Sequence, residues 1–214
     1  MTHGLDGLWP STDPVRPGVK DAAPGALDRA AEERILDAAD RLVRQIGIGR
    51  VSMAEVARGA KVARGTLYRY FESREVLLDA LSQRAADRFF TDVAAAMDGL
   101  LLLSEQLGEF SKRIIQSIHP ESEEPSGNRI ALVRLLATQS VQALRRTARF
   151  LRPYIAAARE RGEVRADLDL DDAGEWLARI LLSFTIFQAS ISHEAGDPLA
   201  VGLFVRRYAI SGLT

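Results

Sequence analysis

The stretch KVARGTLYRYFESRE, Lys61 to Glu75, crowds polyanion-seeking side chains onto a segment with few apolar ones. From Arg58 to Arg74 the basic residues are Arg58, Lys61, Arg64, Arg69 and Arg74, opposed by Glu72 alone, in a chain whose formal net charge is −1. A local excess of that kind attracts a polyanion with an affinity that falls steeply with salt. Helical spacing sorts the side chains. Leu67 and Phe71 stand four apart and share a face that can pack inward, Arg64 and Tyr68 share a second, and Thr66 and Tyr70 a third. Arg64, Gly65 and Thr66 come early in the helix and are expected to face base edges in a major groove. Gly65, having no Cβ, would permit close approach of the backbone. The hydroxyls of Tyr68 and Tyr70 can donate to phosphate oxygens while their rings stay packed, which positions a protein on DNA more than it reads sequence.

Such a helix needs others to hold it. Ile35, Leu36, Ala39, Leu42, Val43 and Ile46 recur on one face of a helix starting near Ala30, and Gly47 stops it. Ser52 is suited to N-cap a short second helix that turns Met53, Val56 and Ala57 inward. A turn around Gly59–Lys61 leads to the third helix, from about Ala63 to Phe71, and Ser73 can cap a fourth running through Met97. Two short helices joined by a tight turn, the second bearing exposed cations, form the helix-turn-helix pattern. The rest of the chain shows no alternating strand pattern. Helices are expected near 104–118, 128–138, 141–161, 171–193 and 198–211, with a kink or restart at Pro153 and a mobile loop over His119–Asn128. Acidic residues in RGEVRADLDLDD suit the N-terminus of the next helix.

The run from Ile35 to Leu81 resembles the N-terminal domain of the tetracycline-repressor (TetR) family of bacterial one-component transcription regulators. Its most recognisable signature is Gly65-Thr66-Leu67-Tyr68-Arg69-Tyr70-Phe71. The resemblance implies an all-α homodimer in which an N-terminal domain reads double-stranded DNA and a C-terminal domain binds a small effector and dimerises. On this chain it implies that Ser52 touches a phosphate, that Arg64, Gly65 and Thr66 face bases, and that Tyr68, Tyr70 and Arg74 clamp phosphates. One position departs from the pattern: Lys61 stands where the family usually has a turn glycine. A lysine at positive φ costs roughly 1 kcal/mol, tolerable if its amine also reaches phosphate.

The expected organisation is therefore an irregular or disordered arm over 1–26, a helix-turn-helix domain over 27–80, and a helical effector-binding and dimerisation domain over 81–214. The arm follows from four prolines and four glycines in its 26 residues. In the C-terminal part, aromatic side chains on several helices can line a pocket for a small apolar effector; Trp176, Phe184, Phe187 and Phe110 are the candidates for its wall. Ala173 to Ser192 is apolar nearly all round, as befits a helix buried in a core or against a partner. With the last helix it would form the dimer seam that the resemblance implies.

Other chemistries find little support. There is no cysteine, hence no disulfide, thiolate metal site or thiol nucleophile; this fits a cytoplasmic protein. No apolar run approaches a membrane span, and the first residues do not form a secretory signal. His3, His119 and His193 lack metal-ligand spacing, and His193 reads as solvated. GIGRVS follows a helix, not a strand, so it is not a phosphate loop. No cofactor, metal or enzymatic activity is expected. The rival to a ligand-responsive regulator is a helical small-molecule binder that has lost DNA reading.

Overall fold

The computed structural model describes residues 26–118, 134, 136–187, 189–194 and 196–214. The described residues are helical, without strands: α1 (Ala26–Ile46), α2 (Met53–Ala60), α3 (Arg64–Tyr70), α4 (Arg74–Met97), α5 (Leu103–Ile118), α6 (Ser140–Glu160), α7 (Leu170–Ile186) and α8 (Pro198–Tyr208), with a 3-10 turn at Ile48–Arg50. None of these helices is long and apolar enough to cross a membrane. The irregular arm and the His119–Asn128 loop lie outside the described residues, apart from Ala26, which opens α1. Of the helix expected over 128–138, residues 134 and 136–138 are described and helical.

Two cores organise the fold. In the first, Ile35, Val43, Val56, Leu67, Phe71 and Leu77 are fully buried. Each large apolar side chain buried in this way contributes about 1.5–3 kcal/mol. The second gathers Val93, Leu107, Phe110, Leu151, Ile155 and Leu177. α4 belongs to both: Leu77 to Ala86 lie in the first, Val93 and Met97 in the second, and Phe89 packs against each. The division expected at residue 81 thus falls inside an unbroken helix, which can carry a displacement from one core to the other.

Close backbone approach fixes the second core. A Cβ added at Gly108 on α5 would meet the carbonyl oxygen of Gly202 on α8 at 2.9 Å, and one at Gly202 would meet that of Gly108 at 3.0 Å. α7 approaches α6 in the same way, since a Cβ at Gly174 would stand 3.1 Å from the Ala148 carbonyl oxygen. α5 is further tied at its start, where the Leu103 N–H donates to Glu163 Oε2 at 2.8 Å.

Three expectations are corrected. Of the kink or restart expected at Pro153, the restart does not occur and α6 runs unbroken through it: Pro153 and Arg149, whose carbonyl loses its partner, are both exposed, so water can satisfy that oxygen. The helix expected to reach residue 193 ends at Ile186. In its last turns the Ser183 and Thr185 hydroxyls donate back to the carbonyls of Ile180 and Leu182, and Ser190 Oγ then accepts the N–H groups of Ser192 and His193 in a turn. Such local bonds compete with helix continuation. His193 is half-buried rather than solvated, its ring 5.3 Å from that of Phe204.

Candidate nucleic-acid interface and interior cavity

α2 begins with a capping box. Ser52 Oγ accepts the Glu55 N–H at 3.3 Å, and Glu55 Oε2 accepts the Ser52 hydroxyl at 2.6 Å and its N–H at 3.2 Å. These bonds hold the Glu55 carboxyl below its ordinary range, the Ser52 hydroxyl contributing most. Ser52 is therefore already committed inside the chain as well as standing where a phosphate contact was expected. Because the folded-state pKa of Glu55 is depressed, its contribution is present above the unfolded value and is lost as pH falls through the folded one. Ser52→Ala should lower the melting temperature by about 2–4 °C near neutral pH, and a melting series taken down to acid should show the difference narrowing.

The turn that follows resolves the Lys61 question. Lys61 has φ 56° and ψ 44°, the left-handed conformation. Its N–H donates to Arg58 O at 3.2 Å and the Val62 N–H to Ala57 O at 3.0 Å, the paired bonds of a Schellman C-cap. Lysine fills the position that favours glycine, and its exposed ammonium stands at the connection between α2 and α3.

α3 is anchored by Leu67 and Phe71, neither of which is exposed at all. Opposite them Arg64 and Gly65 are exposed, Thr66 is half-buried and Tyr68 is 50% exposed. A Cβ at Gly65 would meet no atom within 4 Å, so the protein's own packing does not require glycine there. Among the described residues no carboxylate pairs with Arg64 or Lys61. Tyr70 is engaged: its hydroxyl donates to Asp28 Oδ1 at 2.6 Å, across 42 residues of sequence. Arg69 stacks on the Tyr70 ring, 5.1 Å from its centroid, and pairs with Asp28 at 3.7 Å. Asp28 was missed from sequence because it lies in the first turn of α1, ahead of the expected start, and no local periodicity links it to α3.

Arg74 also has an inward task. Its Nε donates to Val51 O at 2.7 Å and its Nη2 to Ile48 O, so the first residue of α4 grips the connection between α1 and α2. Glu75 lies 3.7 Å from the same guanidinium. The phosphate clamp expected of Arg74 is at least shared with this internal tie.

Between the helices of the second core lies an apolar cavity with about 50 Å³ of free space, walled by Phe89, Phe90, Phe110, Ile114 and Leu182. The cavity is partly open to the surface, so a larger guest must extend through the open side or displace the walls. Of the four residues expected to line a pocket, Phe110 does so. Phe184 borders a second small cavity beside Ile180 and Phe204. Trp176 and Phe187 are 52% and 73% exposed and line neither; Trp176 sits on the side of α7 turned from the core, and Phe187 lies just past its last residue. Sequence reading missed Arg146, a cavity-lining cation, because Arg145 and Arg149 stand beside it and nothing in the spacing singles out the one that turns inward.

A short helix held by a buried leucine and phenylalanine, with its polar face turned outward after a tight turn, defines a helix-turn-helix protein. Residues 35–81 match the N-terminal domain of the bacterial regulatory proteins of the tetR family. A curated relative, an uncharacterised HTH-type transcriptional regulator of Mycobacterium tuberculosis, is 39% identical over 77 residues, 36% of this chain and 38% of the relative. The match thus spans about two fifths of that protein's length. Among solved structures, Salmonella enterica GusR superposes with a TM-score of 0.62 at 23% identity, over 86% of this chain and 95% of GusR. A SmeT–triclosan complex does so with a TM-score of 0.57 at 19% identity, over 86% and 92%.

Proposed function

We propose that the chain is a cytoplasmic, ligand-responsive transcription repressor, not an enzyme, that binds a palindromic operator as a homodimer and releases it when a small apolar or aromatic effector enters the second core. The observation that carries this is the division of α3: Leu67 and Phe71 are fully buried while Arg64, Gly65 and Tyr68 face outward. Arg64, Gly65 and Thr66 read bases; Tyr68, Lys61 and Ser52 contact phosphate, with Tyr70 and Arg74 joining them to the extent that their internal partners release them. One such helix reads few base pairs, and a two-fold dimer extends the site to half-sites about one helical turn apart. The outward apolar side chains Trp176, Ile186, Phe187, Leu199 and Leu203 on and beside α7 and α8 supply the dimer face. SmeT, a fold neighbour, binds triclosan, which favours an apolar aromatic effector here too.

Competition binding with a panel of operator variants tests the division of roles. Arg64→Ala and Thr66→Ala should flatten the preference among variants, each lost base contact removing about 1–3 kcal/mol of discrimination. Tyr68→Phe should weaken all variants alike. Identical behaviour of the two sets would contradict the assignment. Asp28→Asn probes the contact with Tyr70: removing a carboxylate that competes with phosphate should raise operator affinity about two- to fivefold at low salt. An unchanged or lowered affinity in the same titration would mean that Asp28 merely orients Tyr70.

A further inference from the structure

Asp79, Gln83 and Asp87 stand at successive four-residue steps on α4, and each is held by the segment from Arg134 to Arg146. Arg134 pairs with Asp79 at 2.9 Å, Gln83 Nε2 donates to Gln139 Oε1 at 2.8 Å, and Arg146 donates to Gln83 Oε1 at 3.3 Å and to the Asp87 carboxylate. This polar seam ties the second core to the helix that begins at Arg74.

Arg146 belongs to the seam and to the cavity at once. Among the described residues it is the charged side chain that lines the apolar cavity, and its guanidinium carbon lies 4.9 Å from the centroid of Phe90, another wall residue. The pair is lopsided, since the Arg146 side chain is 29% exposed and that of Asp87 is 67% exposed. A carboxylate standing so largely in water is a weak competitor. A carboxylate presented from the cavity side would meet the same guanidinium with less water around it once the Arg146 head turns from Asp87 toward the apolar wall, and the planar fork can donate two bonds to it.

We propose that the cavity takes an amphipathic anion, an apolar chain or ring bearing one carboxylate, whose carboxylate draws Arg146 away from Asp87 and Gln83. This rests on the proposed function and gives its effector a chemical class. An apolar part that exceeds the free space parts α4 from α6 as it enters. Loss of Arg146 from the seam then frees the middle of α4, while Arg74 still grips the connection between α1 and α2 and passes the displacement on.

The test is calorimetric titration of the whole protein with octanoate and with octan-1-ol, near neutral pH and without DNA. Octanoate should bind at least about tenfold more tightly than the alcohol, a difference within reach of a charge-assisted bond. Arg146→Gln should bind the two alike, Arg146→Lys should recover part of the preference, and Asp87→Asn, which leaves the cavity wall untouched, should bind octanoate more tightly than the unaltered chain. Equal binding of acid and alcohol, a preference that survives Arg146→Gln, or no octanoate binding would each overturn the proposal. Since no DNA enters the titration, failure here leaves operator binding standing. In a separate DNA titration, octanoate but not octan-1-ol should weaken operator binding about fivefold or more; selective octanoate binding by a chain that binds no DNA would uphold the site and remove the proposed function.

Discussion

Gly202→Val is expected to open the second core and abolish the proposed dimer. At the crossing of α5 and α8 each glycine faces the carbonyl oxygen of the other, and a first added carbon would already stand 3.0 Å from Gly108 O. The obstacle is backbone, so no side-chain rotation relieves it. Valine adds two further methyl groups, and the helices must separate along the length of α8, whose inner face buries Val201 and Val205. Overpacking of this kind costs about 1–3 kcal/mol, and lost burial of the two valines adds to it. Relief from glycine's poor helix propensity returns only about 0.3–0.5 kcal/mol, because valine is itself a weak helix former. The net loss is a large part of a typical stability of about 5–15 kcal/mol. Urea unfolding should show the midpoint falling sharply, and sedimentation should show monomer, because Leu199 and Leu203 ride on the displaced helix. Gly108→Val should behave in the same way, whereas Gly49→Val, where an added carbon meets nothing within 4 Å, should leave the proposed dimer intact.

The second large effect is expected at Arg74. Its guanidinium satisfies the carbonyls of Ile48 and Val51 at the connection that sets α2 and α3 against α1. Hydrogen bonds from a charged donor contribute about 1.5–3 kcal/mol, and the partly buried position keeps some of that from solvent screening. Arg74→Ala should therefore lower the melting temperature and weaken binding to every operator variant by about tenfold or more, with the order of preference unchanged. Arg74→Lys separates the two roles assigned to this residue. A lysine keeps the charge for a phosphate but cannot bridge two carbonyls with a planar fork. If the internal tie dominates, the lysine variant should be nearly as impaired as alanine in both melting and binding; near-normal binding with reduced stability would instead assign the affinity to the phosphate contact.

Much of the reading unit was legible in the sequence because its determinants are local. Leu67 and Phe71 announce a buried face by spacing, Ser52 and Glu55 announce a cap, and the Gly65 to Phe71 signature carries the family resemblance. The departure at Lys61 is visible in the sequence, whereas the left-handed conformation it adopts there comes from the structure. What sequence left out is non-local. The bond from Tyr70 to Asp28 spans 42 positions, and the grip of Arg74 on Ile48 spans 26. In the second core, composition supplied aromatic residues but not their direction. Phe110 and Trp176 are equally apolar in sequence, yet one is fully buried beside the cavity and the other half outside. Helix ends fared less well where hydroxyls at Ser183 and Thr185 turned back on the chain, an event no hydrophobic period reports.

The central claim, that an outward-facing α3 reads DNA in a two-fold dimer, is tested most directly by binding the full-length chain to DNA upstream of its own gene and to a randomised pool, followed by protection mapping across a salt series. The predicted result is a preferred palindromic site, protected at two half-sites about one helical turn apart, with affinity that falls steeply as salt rises and a preference that Arg64→Ala flattens. Absence of salt-sensitive, sequence-preferring binding to any fragment, by a chain shown to be folded, would contradict it.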